Sequence, residues 1–160
     1  MKITSNPLLD SYRQWDFPLT LYRVHYPGAQ ASCCDHCGFN TASAFTPRHV
    51  TGLRNAVKNH LDWKCRTASP FISAFHNREH AVNWAQSWSK KNEDGPWEIA
   101  EIQIKKEDDV ILFHVGDLVN RLGISVPLLL HSQPHSEYLF FRHIPPELIV
   151  KREHMCPYCV

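Results

Sequence analysis

The chain contains no apolar run of about 18 residues, so no stretch reads as a membrane-spanning helix. Met1 to Asp10 carry neither the basic nor the apolar segment of a secretory leader, which favours a cytoplasmic protein. An excess of one charge sign is also missing. Seventeen Lys and Arg against 16 Asp and Glu leave a formal net charge of +1. That balance supplies no general attraction to nucleic acid, a membrane surface or an acidic partner. No internal repeat, heptad pattern or low-complexity tract is present, which excludes solenoids and coiled coils. The 11 histidines include no His-Glu-x-x-His grouping, so the zinc-protease pattern is absent. What remains is 160 residues, 43% apolar and 21% charged, the balance of one globular domain with a real core.

Strand and helix signals are mixed without regular alternation, which indicates α+β. Residues 1–17 read as a short helix or an apolar strap. Leu19 to His25 alternate as a strand, with Leu19, Leu21, Arg23 and His25 on one face and Thr20, Tyr22 and Val24 on the other. An arginine beside two leucines needs a partner, either a structural carboxylate or an anionic ligand. Residues 30–45 read as a loop. Thr46-Pro47 then open a helix with an apolar stripe of Val50, Leu53, Val57 and Leu61. Phe71 and Ile72 form a short buried strand ending at Ser73. Asn77 caps the next helix, whose buried face is Ala81, Trp84, Ala85 and Trp88. Ser69 and Ser73 thus sit at a strand end beside a packed helix, where a hydroxyl either turns the chain or is held for use. Strands are expected at 97–104, 110–115, 125–130 and from Glu137, with a last one over 144–150. Asp117 caps a short helix ended by Gly123.

The six cysteines are grouped. Cys34 with Cys37, and Cys156 with Cys159, form two Cys-x-x-Cys pairs, the local spacing of a tetrahedral structural zinc site. Cys33, His36 or His154 could replace one ligand, and the rival arrangement is free thiols or a disulfide. Such a site would pin the tail, 151–160, across the Cys33–Cys37 loop, with no open position for catalysis. Cys65 reads as a small buried residue. The other histidines, His60 among them, read as helix-surface or loop residues.

Three separated positions now combine. Leu21-Tyr22-Arg23 on the first strand, Phe71-Ile72-Ser73 ahead of a helix, and Glu137 before Tyr138-Leu139 resemble the Arg-Ser-Glu class of ADP-ribosyltransferases, the heat-labile enterotoxin and pierisin-like class. The Leu-Tyr-Arg-Val, Ser-Pro-Phe-Ile-Ser and Glu-Tyr-Leu blocks are also similar to a group of fungal domains. The resemblance covers residues 19–150 and implies a split β-sheet sandwich with flanking helices. It implies NAD as the substrate, Glu137, Ser73 and Arg23 as catalytic residues, and Tyr22, His25 and Phe75 near the dinucleotide. The partner it implies is a macromolecular acceptor, protein or nucleic acid, of the ADP-ribose group.

The pattern departs from that class in two places. Transferases that modify arginine carry an acid or amide two residues before the glutamate, where this chain has His135. The toxins' Ser-Thr-Ser is here Ser73-Ala74-Phe75. Both departures speak against arginine as acceptor and leave water or a nucleobase. The alternatives to an NAD-consuming enzyme are a catalytically silent, zinc-stabilised binding module that keeps the fold, and a zinc-bearing adaptor with no nucleotide.

Overall fold

The computed structural model describes residues 6–34, 36–62, 64–125 and 135–155. In chain order the elements are α1 (Pro7–Tyr12), β1 (Leu19–His25), β2 (Ser32–Cys34), β3 (Gly38–Asn40), α2 (Val50–Leu61), β4 (Phe71–Phe75), α3 (Arg78–Lys91), β5 (Trp97–Ile104), β6 (Leu112–His114), α4 (Val115–Leu122), β7 (Glu137–Phe141), β8 (His143–Ile144) and β9 (Ile149–Met155). The chain is α+β, with antiparallel strand pairing among the described residues. The strand expected at 125–130 lies almost wholly outside them.

Two sheets form, one of six strands in the order β6-β7-β4-β1-β5-β9 and one of three, β2-β3-β8. β1 pairs with β5 along its whole length, from Leu19↔Ile104 to His25↔Glu98. β4 pairs with β7 from Phe71↔Phe141 to Phe75↔Glu137. Between β1 and β4 the register holds only Tyr22↔Phe75. The large sheet is therefore two ribbons, β6-β7-β4 and β1-β5-β9, touching at one point and parting beyond it. That parting opens a cleft in the middle of the sheet.

Alternation along β4 decides what faces the cleft. Ile72 and Ala74 pack with Phe39 of β3 and Ile144 of β8, under the small sheet. Phe71 points the other way, into a cluster built by α1, α2 and α4 with Phe113 and Leu139. Phe75 enters a separate cluster with Val24, Ile99, Ala81 and Ala85 under α3. Ser73 lies between the last two, on the helix-covered face, where the apolar core is interrupted. Burying each of those phenylalanines contributes about 2–3 kcal/mol, so the polar gap between them is held open by strong packing on both sides.

Local chemistry moves some boundaries from those expected. α2 begins at Val50, with His49 and not Thr46 at its N-cap, and Thr46 Oγ1 accepts from Arg142. Val50 is exposed, and the buried stripe is Leu53, Ala56, Val57 and Leu61. On α3 the cap is as expected, with Asn77 Oδ1 accepting from His80 N–H at 3.2 Å. Its buried line is Ala81, Ala85 and Ser89, and Trp84 and Trp88 stand half-buried beside it. α4 is capped by His114 and not by Asp117, and it ends at Gly123 in the left-handed region.

The expected loop at 30–45 contains the β2–β3 hairpin. Gly38 has φ +67° there, and a Cβ on it would meet Ile144 O at 2.0 Å. Neither the backbone nor the β8 carbonyl can yield cheaply. We expect Gly38→Ala to destabilise the protein by about 3 kcal/mol or more in urea titration.

Only half of the expected metal site, Cys34 and Cys37, lies among the described residues. Cys34 and Cys37 are joined to each other across the turn, with their Cα atoms 5.4 Å apart. Among the described residues no group of three or more His, Cys, Asp or Glu could hold a metal ion. Cys156 and Cys159 lie outside the described residues. His36 is exposed, and His154 Nδ1 pairs with Glu98 Oε2 at 3.1 Å. β9 does run close to the hairpin, since Arg152 donates to both Cys33 Sγ (3.0 Å) and Glu98 Oε1 (3.1 Å). Cys65 is half-buried and lines the cavity described next. Among the described residues no helix is long and apolar enough to cross a membrane.

Candidate active site

The parting of β1 and β4 leaves the Ser73 carbonyl without a strand neighbour on that side. Arg23 fills the gap, its terminal nitrogen donating to Ser73 O at 3.0 Å. A guanidinium thus takes the place of a ladder hydrogen bond. The Arg23 head lies 5.8 Å from the centroid of the Phe39 ring, and its Nε is sealed from water with no hydrogen-bond partner among the described residues. Burial pulls the Arg23 pKa down, against Tyr26, Cys33 and Glu137, but an arginine stays charged.

Glu137 opens β7 opposite Phe75, on the same face as Ser73, and is 6% exposed. Ser73 Oγ–H donates to Glu137 Oε1 at 2.9 Å. Desolvation pushes the Glu137 carboxyl up to about 7, with the Ser73 hydrogen bond and the Arg23 charge opposing. The group therefore titrates near neutrality. Arg23, Ser73 and Glu137, distant in sequence, meet at one point in the cleft.

A fourth residue joins them that the sequence reading assigned to a helix surface. His60, in the last turn of α2, has Nε2 2.7 Å from Ser73 Oγ and Nδ1 2.5 Å from Ser69 Oγ. Because the single Ser73 proton goes to Glu137, His60 Nε2–H must donate to Ser73. Nδ1 is then an acceptor for the Ser69 hydroxyl, whose oxygen in turn accepts Phe71 N–H at 3.1 Å. This tautomer follows from the network. Burial, with Arg23 adding to it, holds the His60 pKa down to about 4, which keeps the ring neutral as the chain of donors requires. The relay Phe71 N–H, Ser69, His60, Ser73 runs toward the carboxylate and polarises each link in the same direction.

His60 was legible in principle. It stands seven residues after Leu53 and four after Ala56, on the buried stripe, where a lone imidazole needs partners. We expect His60→Phe, which keeps a ring and removes both nitrogens, to destabilise the fold by about 2–3 kcal/mol. Denaturant titration measures it.

These groups open into a cavity of about 680 Å³, within the range of small-molecule sites. Arg23, Ser73, Glu137, His60 and Phe75 line it, as do Ser69 and a face of α3. Tyr22 and His25 do not. Tyr22 stands beside Glu101, and His25 packs edge-on against Phe39 at 5.5 Å. His135 is exposed, and its carbonyl lies 3.1 Å from His114 Nε2.

The mixed α+β architecture with its split antiparallel sheet is consistent with an ADP-ribosyltransferase-like fold. The structure is similar to EcPltA, a PltA-like ADP-ribosyltransferase toxin subunit, with a TM-score of 0.59, covering 86% of this chain and 75% of that one. The two share 18% sequence identity, so the likeness shows the fold. By sequence the chain belongs to the family described as Domain of unknown function (DUF7587), which matches residues 16–156. No curated protein matches it.

Proposed function

We propose that the protein binds NAD in the cleft between β1 and β4 and cleaves the bond between ribose C1′ and the nicotinamide nitrogen. One observation carries this reading: a buried carboxyl, tuned to titrate near 7, shares its serine with a neutral histidine beside a buried arginine. The bonding electrons leave with the nicotinamide ring, which departs neutral, and positive charge develops on the ribose. The Glu137 carboxylate stabilises that charge and orients the sugar hydroxyls. Arg23 offers its remaining terminal donors to the pyrophosphate, while Ser73 O holds one of them in place. Ser73 and His60 fix the carboxylate and do not exchange covalent bonds. An acceptor nucleophile, water or a group on a protein or nucleic acid, then bonds to C1′ and loses its proton to solvent.

The test follows both halves of the substrate. NAD labelled in the adenine half is incubated alone and with protein and nucleic acid fractions. Label appearing as free ADP-ribose assigns water, and label appearing on one fraction assigns the acceptor class. NAD that binds and is never consumed would instead favour the silent module that keeps the fold.

The four-thiolate zinc site is a separate proposal, supported only by the approach of β9 to the hairpin through Arg152 and Cys33. Zinc content by elemental analysis, with a thiol count, decides it. One zinc per chain, lost in Cys156→Ser/Cys159→Ser, supports the site; no zinc with a closed Cys34–Cys37 bond removes it.

A further inference from the structure

An acceptor that bonds to C1′ carries a proton it must lose, and the groups around Glu137 leave no place for it. Both nitrogens of His60 are committed, Nε2–H to Ser73 and Nδ1 to Ser69. The Ser73 hydroxyl donates to Glu137, and Arg23 is a donor only. Protonating Glu137 would cancel the charge that stabilises the ribose.

A second imidazole reaches the same cavity. His80, in the first turn of α3, lines it together with Glu137. Its Nδ1 lies 2.8 Å from the Oγ of Ser136, the residue before Glu137. Its ring centroid is 6.2 Å from that of Phe75, which stands opposite Glu137 in the β4–β7 ladder. Asn77 Oδ1 holds the His80 backbone N–H, and His76 N–H donates to Ser136 O at 2.7 Å. The turn between β4 and α3 is thereby clamped to the entry of β7. The ring is half-buried and not sealed, and Nε2 has no hydrogen-bond partner among the described residues. The other charged groups of the lining stand apart. Asp62 accepts Lys64 N–H at 2.9 Å at the end of α2, and Lys91 is roughly 16 Å further along the axis of α3.

The geometry points to His80 as the general base of the reaction, serving a neutral O–H or N–H acceptor, of which water is the simplest. The inference rests on the cleavage reading of the cleft and supplies its proton acceptor. Ser136 Oγ takes Nδ1–H, which leaves the Nε2 lone pair for the cavity. As the acceptor's lone pair bonds to C1′, its proton passes to Nε2, and the electrons of the broken bond stay on the acceptor atom. Nicotinamide leaves with its own bonding pair, and the imidazolium then gives the proton to solvent. An imidazole brings no negative charge to hold a guanidinium, in keeping with His135 where arginine-modifying transferases have an acid or amide.

The test uses azide, an anionic nucleophile with no proton to lose. In His80→Gln, whose amide can still bond to Ser136 but takes no proton, nicotinamide release in water should fall at least about 10²-fold. Added azide should restore most of it and yield ADP-ribosyl azide, while NAD affinity by calorimetry stays close to wild type. Ser136→Ala, which loosens the ring, should lower kcat with KM little changed and respond to azide in the same way. A wild type that releases nicotinamide, with His80→Gln equally fast, overturns the inference and leaves the cleavage reading standing. A slow His80→Gln that azide does not restore also overturns it, because a merely structural role loses both nucleophiles alike. No release from a wild type that binds NAD sinks the cleavage reading, and this inference with it.

Discussion

Glu137→Gln should abolish nicotinamide release, by at least about 10²–10³-fold, and at the same time make the protein more stable. The two effects have one cause. The carboxyl's folded pKa is about 7 against an ordinary 4.5, because burial disfavours its charge. Below pH 4.5 it is protonated in both states and carries no penalty. Between 4.5 and 7 the unfolded chain releases its proton first, so stability falls as pH rises, by about 3 kcal/mol in total. Glutamine has nearly the same shape and can still accept from Ser73, without the buried charge. At pH 8 the variant should therefore resist urea better than the wild type by up to about 3 kcal/mol. His60 contributes the opposite slope, since its folded pKa of about 4 lies below the ordinary 6.5. As pH falls from 6.5 to 4 the unfolded chain takes up a proton that the folded one refuses, and stability is lost. The wild type should thus vary little between pH 4.5 and 6.5, whereas Glu137→Gln should gain stability steadily as pH rises through that range. A variant less stable than wild type at pH 8 would mean that burial does not penalise this carboxylate.

Arg23 carries the second large effect. Arg23→Lys keeps the charge and loses the planar fork that holds Ser73 O while offering other donors to the cleft. Its affinity for NAD should fall about 10–100-fold, the worth of one or two charged hydrogen bonds. Arg23→Met should fall further and also move the titration. Arg23 opposes protonation of Glu137 and depresses the pKa of His60, so removing its charge raises both. The pH midpoint for activity should shift upward in Arg23→Met and stay nearer the wild type in Arg23→Lys. Identical midpoints in the two variants would show that the guanidinium does not act electrostatically on the site.

Much of this arrangement is written in local patterns. Arg23 alternates onto the face of Leu21, which signals that its charge must find a partner. Ser73 sits at an apolar strand's end before a capped helix, and Glu137 begins an apolar strand. What the sequence does not carry is the parting of β1 from β4, a tertiary event that turns a buried ladder carbonyl into the Arg23 acceptor. His60 is invisible to a stripe of apolar residues alone, although its spacing from Leu53 and Ala56 places it on that stripe. Trp84 and Trp88 mislead for the reverse reason. Large aromatics at i, i+4 suggest core, but the fully buried line is the small residues one position on, Ala85 and Ser89, and the tryptophans are half-buried at its edge, lining the cavity. The β2–β3 hairpin is missed because its strands are three residues each, too short for alternation to register. Cys34 and Cys37 lie against each other across it, a closeness that a Cys-x-x-Cys spacing gives with or without a shared metal.

The decisive measurement is nicotinamide released from NAD by wild type and by folded Glu137→Gln, side by side at pH 6 and pH 8. The account predicts release by the wild type, faster at pH 8, and none above background from the variant at either pH. Equal release by both proteins, or none from a wild type that binds NAD, would contradict it.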